Sequence, residues 1–192
     1  MFDSLDAVWT HAWARLLAGA RGRADPFHQG VLANAAGEAG PQARYTVLRA
    51  VDPDAATVAF HTDRRSPKRT QLAADPRVAW CFFGHGEQLR LSGRVVLHLD
   101  DAVADAAWAA CGRSSRATYT VPLAPGSLIG LPAEGDRPAV PDAATLAAAR
   151  ANFALARLHL ESLDWLSLAA SGHRRALFTA EDGRWQGSWR SP

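Results

Sequence analysis

Basic and hydroxyl-bearing side chains are concentrated in residues 62–69, which read Thr-Asp-Arg-Arg-Ser-Pro-Lys-Arg. Ser66 followed by Pro67 is a favoured helix start, with Ser66 as the cap and Pro67 in the first helical position. Hydroxyls, cations and the free backbone amides of a helix start together suit a phosphate group. Arg44, which opens a predicted strand, is a further cation of this kind. The alternative is a solvated basic loop, because a run of charge is most often plain surface.

Polar residues also alternate along the motif Gln-Leu-Arg-Leu-Ser-Gly that begins at Gln88. Successive side chains of a strand point to opposite faces, so Gln88, Arg90 and Ser92 share one face, which could meet solvent, a partner subunit or a ligand. Further along, Trp165 and Arg175 fall on consecutive predicted strands. They could stack on each other or line a flat aromatic ligand, while the ordinary alternative is that Trp165 packs in the core.

Several classes of function are not supported by the sequence. It contains no GxGxxG, GxxxxGK[ST], GxSxG or HExxH motif, and its seven histidines show no metal-ligand spacing, so no metal centre is expected. A net charge of +2 implies no general attraction to nucleic acid or anionic membrane. Neither a membrane span nor a signal peptide is expected. We therefore expect a cytoplasmic protein in which Cys81 and Cys111 are free thiols, a single disulfide being the alternative.

Short strands with a few helices must position these residues. Apolar residues at helical spacing predict an N-terminal helix over 4–18, ended by Gly19 and Gly22. A turn at 52–54 predicts an antiparallel hairpin. A loop rich in Pro and Gly is expected over 112–141. Strands are predicted over 30–35, 44–51, 57–62, 77–83, 88–99, 160–168, 174–179 and 185–189. One further helix is predicted to start at 67, a second at 101 or 102, and a third to cover 142–158. The pattern indicates one domain over 1–192, a mainly β fold formed by a barrel with helical decoration.

The ordered series of motifs resembles the pyridoxamine 5'-phosphate oxidase family, and most closely its bacterial FMN-binding branch, distinct from the true oxidases. The resemblance is good over residues 25–110 and moderate over 160–192. The motifs that carry it are Arg44-Tyr45-Thr46-Val47-Leu48-Arg49, Phe60-His61-Thr62-Asp63, Ser66-Pro67-Lys68, Asp75-Pro76, Gln88-Leu89-Arg90-Leu91-Ser92-Gly93, and then Trp165, His173-Arg174-Arg175, Trp185 and Pro192.

The resemblance implies an FMN-binding split β-barrel of antiparallel Greek-key type that forms a homodimer with FMN at the subunit interface. It assigns the FMN phosphate to Arg44 and Lys68, helped by Thr62 and Ser66, and includes His61 among the cofactor contacts. The segment Tyr45, Thr46, Val47 and Leu48 would line the flavin ring and ribityl chain. Gln88 would bond to the ring, and Trp165 and Arg175 would close the site near its pyrimidine end.

The resemblance is incomplete on the substrate side. Pro67 and Ser171 stand where the family has arginines, and Arg49 stands where the family has a substrate-contacting lysine. Arg49, Arg116 and His173 remain as candidate substrate contacts. His61 and His173 are candidate acid–base groups, and the catalytic residues are otherwise unknown. Pyridoxamine phosphate is therefore not the expected substrate.

These features favour an FMN-dependent oxidoreductase that acts on another small molecule. One alternative is a non-catalytic flavin-binding or flavin-sensing protein. The other is a split barrel that uses a deazaflavin, or haem ligated by His61, His85 or His173.

Overall fold

The computed structural model describes residues 2–138, 140–170 and 172–192. The α-helices are α1 Leu5–Arg21, α2 Pro67–Ala74, α3 Ala102–Ala110, α4 Arg113–Arg116 and α5 Ala143–Ala148. The strands are β1 Gln29–Ala35, β2 Pro41–Val47, β3 Ala50–Asp52, β4 Thr57–Asp63, β5 Arg77–Gly84, β6 Glu87–His98, β7 Phe153–Ser167, β8 Arg174–Glu181 and β9 Arg184–Arg190. Within the described ranges, no helix is both long and apolar enough to cross a bilayer.

The strands form one sheet in the order β2-β1-β5-β6-β7-β4-β3, and β8 and β9 continue from β7. The pairs β1–β2, β1–β5, β3–β4, β5–β6, β7–β8 and β8–β9 are antiparallel. Several neighbours in the sheet are distant in sequence, as in Greek-key connections. The predicted mainly antiparallel β fold with added helices is confirmed.

Residue contacts divide the chain into two compact units. Unit 1 comprises residues 2–60, 75–96 and 157–192, and unit 2 comprises residues 61–74 and 97–156. One domain over 1–192 stays a prediction. The core of unit 1 is rich in large buried side chains from the sheet, among them Leu32, Trp80, Phe82 and Leu91. In unit 2 the rings of Trp108, Tyr119 and Phe153 contact one another.

Helix α1 is longer than predicted. Its N-cap is Ser4, whose hydroxyl accepts a hydrogen bond from the Ala7 amide, and its C-cap is Gly22. The predicted end at residue 18 was wrong because Gly19 lies inside the helix. A Cβ built on Gly19 would lie 2.5 Å from the carbonyl oxygen of Phe27. Gly19 is therefore needed for close packing and does not stop the helix.

The predicted strand over 44–51 is two strands, because the chain changes hydrogen-bonding partners between them. The Leu48 amide donates to His28 O, beside β1, whereas the Arg49 amide donates to Ala59 O of β4. Strand β2 consequently ends at Val47 and β3 begins at Ala50. The predicted hairpin is present, formed by β3 and β4.

The predicted helix over 142–158 was wrong in its second half. Helix α5 ends at Ala148, a 3-10 turn covers Ala149–Asn152, and β7 starts at Phe153. The first part of β7 is buried on both faces, so it reads as an unbroken apolar run without strand alternation. The loop predicted over 112–141 also contains helical structure, namely α4 and short 3-10 turns at Ala117–Tyr119 and Pro132–Gly135.

Candidate functional site

Arg44 is a partly buried cation held by a buried amide in unit 1. It lies on β2 opposite Leu32 of β1, and its Nη1 donates to Oδ1 of Asn34. Asn34 is itself buried and donates to the Ala35 carbonyl at 2.6 Å. Burial lowers the pKa of the Arg44 guanidinium from its usual value. Within the described residues, no carboxylate lies within ion-pair distance of Arg44, so the charge is oriented without being neutralised.

Two further polar atoms near Arg44 in the sequence are buried without a partner among the described residues. They are the Thr46 hydroxyl and Nε of Arg49. Thr46 lies two residues beyond Arg44 on β2, so both side chains emerge on the same face of the strand. Thr46 also faces Gly30, and the Phe82 ring lies against Gly30, 2.7 Å from where a Cβ would stand. Unpaired buried polar groups are costly, so these two atoms are suited to contacts with a polar ligand. The strand face of Arg44 and Thr46 also carries the buried side chain of Leu32.

The neighbouring residues of this segment alternate between exposed and more buried positions. Tyr45 is largely exposed, with 73% of its surface accessible, while Leu48 is completely buried. Val47 pairs with Gln29 and lies on the Tyr45 face of the strand. In unit 1 the segment therefore presents the polar face with Arg44 and Thr46, and an opposite, more exposed face with Tyr45.

A cluster of one carboxylate and two arginines lies on β6, β7 and β8 of unit 1. Arg175 donates through Nε and Nη2 to the two oxygens of Asp164 at 3.0 and 2.8 Å, and Arg90 donates to Asp164 Oδ2. Burial opposes ionisation of Asp164, but hydrogen bonds from Arg175 and Arg90 outweigh it, so its pKa lies below the usual value. Asp164 could not be recognised from the sequence, because a single aspartate in an apolar strand belongs to no motif.

Trp165 and Arg175 do not stack on each other, so the first of the arrangements considered for this pair is wrong. In the β7–β8 register Trp165 pairs with Ala176, and Arg175 pairs with Leu166. Side chains of adjacent residues point to opposite faces, so the indole and the guanidinium lie on different sides of the hairpin. Trp165 is buried and packs edge-on against Phe2, with ring centroids 5.8 Å apart. Its Nε1 has no hydrogen-bond partner among the described residues.

Gln88 lies on the strand face that the sequence predicted. On β6 the residues Leu89 and Leu91 are buried, whereas Gln88, Arg90 and Ser92 are more accessible. Gln88 pairs with Phe83 and Arg90 pairs with Cys81. Gln88 and Arg90 thus share the same face of unit 1 as the Asp164 cluster.

Two cavities in unit 1 adjoin the start of β8. One of about 340 Å³ is lined by Asp3, His173, Arg174, Arg175, Trp189 and Arg190. The other, of about 250 Å³, is lined by Phe2, Glu87, Trp165, Ser167, Ala169, Gly172 and Arg174. Arg174 borders both and is bound to Phe2 O and to Asp3. Arg174 pairs with Asp3 and Arg175 pairs with Asp164, whereas Arg190 has no ion pair within the described residues, so the lining favours an anion. The predicted family position at Ser171 lies outside the described residues.

Glu87 closes the smaller cavity and was not identified from the sequence. His11 Nε2 of α1 lies 2.8 Å from Glu87 Oε2, and Arg15 Nε lies 3.7 Å from the same oxygen. These contacts hold α1 against the start of β6. The separation of 76 residues between His11 and Glu87 explains why no local motif revealed the pair.

In unit 2 the structure brings together two of the predicted phosphate residues, Ser66 and Lys68. Thr62 and Ser66 are buried, and Lys68 Nζ donates to Ser66 Oγ at 3.2 Å, at the start of α2. The neighbouring arginines are engaged with acids. Arg65 bonds to both oxygens of Asp63, and Arg64 bonds to both oxygens of Asp100. The segment is therefore an ordered turn with its own hydrogen bonds, not a plain solvated loop.

The other predicted residues of unit 2 have structural contacts. His61 packs edge-on against the Phe153 ring, with centroids 4.8 Å apart. Arg116 donates to the carbonyls of Trp108 and Ala109 and lies over the Trp108 ring. His173, the second candidate acid–base group, belongs to unit 1 and lines the larger cavity there.

Comparison with known proteins supports the family resemblance. Residues 7–99 match the model of the pyridoxamine 5'-phosphate oxidase FMN-binding domain. The pyridoxine/pyridoxamine 5'-phosphate oxidase of Anaeromyxobacter dehalogenans (strain 2CP-C) is 40% identical over 87 residues. That match covers 44% of this chain and 42% of the relative, so it spans less than half of the relative's length.

Two solved structures share the fold over nearly the whole chain. A pyridoxamine 5'-phosphate oxidase-related, FMN-binding protein from Nostoc punctiforme PCC 73102 is 23% identical, with a TM-score of 0.74 and complete coverage of both chains. PhzG from Burkholderia lata 383, in complex with tetrahydrophenazine-1-carboxylic acid, is 18% identical, with a TM-score of 0.67 and coverage of 99% of this chain and 94% of that chain. At these identities the likeness shows the fold, which is the predicted split β-barrel. The match over residues 7–99 and the shared fold together support the assignment of this chain to the pyridoxamine 5'-phosphate oxidase-related family.

Proposed function

We propose that this protein binds FMN and uses it as an oxidoreductase acting on a small anionic molecule. The observation that carries the proposal is the polar face of β2. Arg44 is charged and partly buried without a carboxylate partner in the described chain, and the Thr46 hydroxyl on the same face is buried and unpaired there. A phosphate with hydroxyl-rich chain atoms supplies both the charge and the acceptors that these groups lack.

The proposed cofactor contacts follow the family resemblance. In unit 1, Arg44 would hold the phosphate, and Tyr45, Thr46, Val47 and Leu48 would line the ring and ribityl chain. Gln88 and Arg175 of the same unit are proposed ring contacts. The resemblance also assigns Trp165 to the ring, but its side chain lies on the other side of the hairpin from Arg175. In unit 2, Thr62, Ser66 and Lys68 are proposed phosphate contacts, with His61 beside them in sequence. FMN, when bound, supplies the hydride-transfer chemistry.

The residues of this chain provide the electrostatics of the proposed reaction. Asp164 fixes the guanidinium of Arg175 through two hydrogen bonds, so the cation keeps one orientation without help from a ligand. A fixed positive group stabilises negative charge that develops nearby, and it does so without reorganising. His173, Arg174 and Arg190 line the anion-favouring cavity beside Arg175 and are the proposed substrate contacts, together with Arg49 and Arg116.

A homodimer is part of this proposal. Tyr45 on β2 and Phe83 on β5 are large side chains with 73% and 61% of their surfaces exposed. The β2-β1-β5 register places both on the sheet face that also carries Arg90 and Gln88. Exposed aromatic side chains on one face are typical of an interface, which supports a second copy of the chain as the partner.

The visible spectrum of the purified protein tests the cofactor, together with identification of the released ligand. We expect bound FMN and no Soret band. A colourless protein that fails to take up added FMN would refute the proposal, and so would a haem spectrum or a bound deazaflavin.

Affinity measurements test the assignment of Arg44. Arg44→Gln should weaken FMN binding by about 1.5–3 kcal/mol, the scale of a charge-assisted hydrogen bond. Arg77→Gln is the matched control, because Arg77 is exposed on β5 and already paired with Asp75. Equal affinities in the two variants would place the phosphate elsewhere. Turnover of small anionic substrates in the loaded protein then separates an oxidoreductase from a non-catalytic flavin-binding protein.

A further inference from the structure

Cys111 and His61 form a thiol–imidazole pair in unit 2. Cys111 Sγ lies 3.5 Å from His61 Nδ1, within the range of a hydrogen bond to sulfur. The two residues are 50 positions apart and come from the end of α3 and from β4. Both side chains are partly accessible. An imidazole nitrogen at this distance can accept the thiol proton, and the resulting thiolate is the reactive form of cysteine.

The charges near the Cys111 sulfur also affect how readily it forms a thiolate. Cys111 is the C-cap of α3, a position at which the negative end of the helix dipole disfavours a thiolate. Arg116 of α4 counteracts that dipole, because its guanidinium donates to the carbonyls of Trp108 and Ala109 in the last turn of α3. His61, once protonated, adds a second positive charge at the thiol. His61 at the thiol and Arg116 at the end of α3 thus each supply a basic group.

Packing keeps this arrangement in place. The imidazole of His61 rests edge-on against the Phe153 ring, which fixes the plane of the imidazole. The Cys111 amide donates to Trp108 O at 3.0 Å, and the Arg116 side chain lies 5.3 Å above the Trp108 ring. The nucleophile, the base and the cation are thus each held by a separate contact.

Cys81 provides a contrast within the same chain. It lies on β5 of unit 1, where burial raises the pKa of its thiol and Asp164 raises it further, against the opposite effect of Arg90. No imidazole lies within hydrogen-bond distance of its sulfur in the described residues, and the sulfur contacts Phe82 O at 4.0 Å. Cys81 is therefore an internal reference for an unactivated thiol.

We infer that Cys111 is a peroxide-reactive cysteine, activated by His61, that is oxidised to a sulfenic acid. His61 takes the thiol proton, and the thiolate attacks one oxygen of a hydroperoxide. An S–O bond forms as the O–O bond breaks, so sulfur is oxidised by two electrons and the peroxide is reduced. The departing alkoxide or hydroxide takes the proton back from His61, which leaves a sulfenic acid and an alcohol or water. This inference rests on the contacts in unit 2 and does not depend on flavin binding.

Trapping of the sulfenic acid tests the inference. The full chain is treated with hydrogen peroxide in the presence of dimedone, and peptide mass spectrometry follows the labelling of each cysteine. We expect Cys111 to be labelled at least about tenfold faster than Cys81. In urea the two rates should become equal, because unfolding removes both the pair and the burial. Equal rates in the native protein would overturn the inference.

Variants separate activation from mere exposure. His61→Asn keeps a polar side chain but removes the base, and it should slow labelling of Cys111 about tenfold. His98→Asn is the control, because His98 lies in the same unit and is paired with Asp101. Labelling of Cys111 in His61→Asn at the wild-type rate would overturn the role of His61.

The pH profile of alkylation by iodoacetamide gives a second readout that needs no variant. In the wild-type protein the Cys111 rate should reach half its maximum well below pH 8.5, the ordinary pKa of a free thiol. A midpoint at or above that pH would contradict the inference even if His61→Asn failed to fold.

Discussion

Asp164 shows how one residue can order two cations from different strands. Its side chain is only 7% exposed, while those of Arg90 and Arg175 are 50% and 33% exposed. The carboxylate has lost most of its water and depends on the two guanidinium groups for hydrogen bonds. Removal of a buried partner from such a cluster leaves unmatched charge, which is the costly way to break an ion pair.

Asp164→Asn should therefore lower the free energy of unfolding by about 1–3 kcal/mol, less than for a fully buried pair because the arginines remain partly solvated. Urea denaturation at neutral pH measures this change. Glu161→Gln is the matched control, since Glu161 pairs with Arg94 at 3.1 Å on the surface and should change stability by no more than about 0.5 kcal/mol. Equal losses in both variants would contradict a special role for Asp164.

The same residue should contribute to acid sensitivity. The pKa of Asp164 is lower in the folded protein than the ordinary value of about 3.9, so the folded state binds its proton less readily than the unfolded state. Its stabilising effect is complete above the unfolded pKa and is lost as the pH falls through the folded pKa. The difference in stability between wild type and Asp164→Asn should accordingly shrink below about pH 4.

Single residues were predictable where a local pattern marked them. The alternation of Gln88, Arg90 and Ser92 followed from strand periodicity, and the Ser66–Pro67 helix start followed from capping chemistry. Asn34 and Asp164 could not be predicted, because their partners are brought to them by strand pairing and not by sequence spacing. For the same reason, the sequence left open whether Trp165 stacks on Arg175, since one step of register decides which face each side chain occupies.

At the scale of elements, the contact between α1 and the turn after it requires a residue without a side chain at position 19. Gly19 is buried in α1, and Nδ1 of His28 lies 2.8 Å from its carbonyl oxygen. The backbone of Phe27 occupies the space that a Cβ on Gly19 would need. Intrinsic helix propensity and packing therefore make opposite demands at this position.

Gly19→Ala should destabilise the protein by about 1–3 kcal/mol, although alanine is the better helix former by about 1 kcal/mol. Thermal or urea unfolding tests this prediction. Gly22→Ala is the control, because a Cβ there would approach Ala18 O no closer than 3.5 Å, and we expect little change. A stabilised Gly19→Ala variant would show that the Phe27 backbone can move away.

Elements bounded by turn chemistry were predicted well, and elements within long apolar runs were not. The hairpin of β3 and β4 followed from Asp52-Pro53-Asp54, since those residues allow few alternatives. The alanine-rich run that enters β7 satisfied helical periodicity equally well. That strand is buried on both faces, so its sequence lacks the alternation that would have distinguished a strand from a helix.

At the scale of the whole molecule, the family resemblance and the fold could be predicted from the order of the motifs, although each motif alone was weak. The surface proposed for the dimer forms only when the sheet folds. Tyr45 and Phe83 are 38 positions apart in the sequence, and the strand register places them on the same face. The sequence itself suggested a dimer through the family resemblance alone.

Phe83→Arg should convert the proposed dimer into a monomer, because a charged side chain opposite its own symmetry mate resists desolvation. Light scattering coupled to size exclusion should then give a mass near 20.6 kDa in place of about twice that value. Leu128→Arg, at a fully exposed position of unit 2, is the control and should leave the dimer intact. A dimeric Phe83→Arg variant, or a monomeric wild type, would contradict the proposal.

The change of partners at Leu48 and Arg49 has a consequence for how this sequence can vary. Strand β2 is registered to β1 on one side of that point, and β3 is registered to β4 on the other. A substitution there alters one side chain, whereas an insertion or deletion of one residue would exchange the two faces of a whole strand. Arg44 and Thr46 would then move to the face of Tyr45, and Tyr45 would be forced inward. Among natural variants of this chain, we expect the length of the segment from 44 to 52 to be invariant even where its residue types are not.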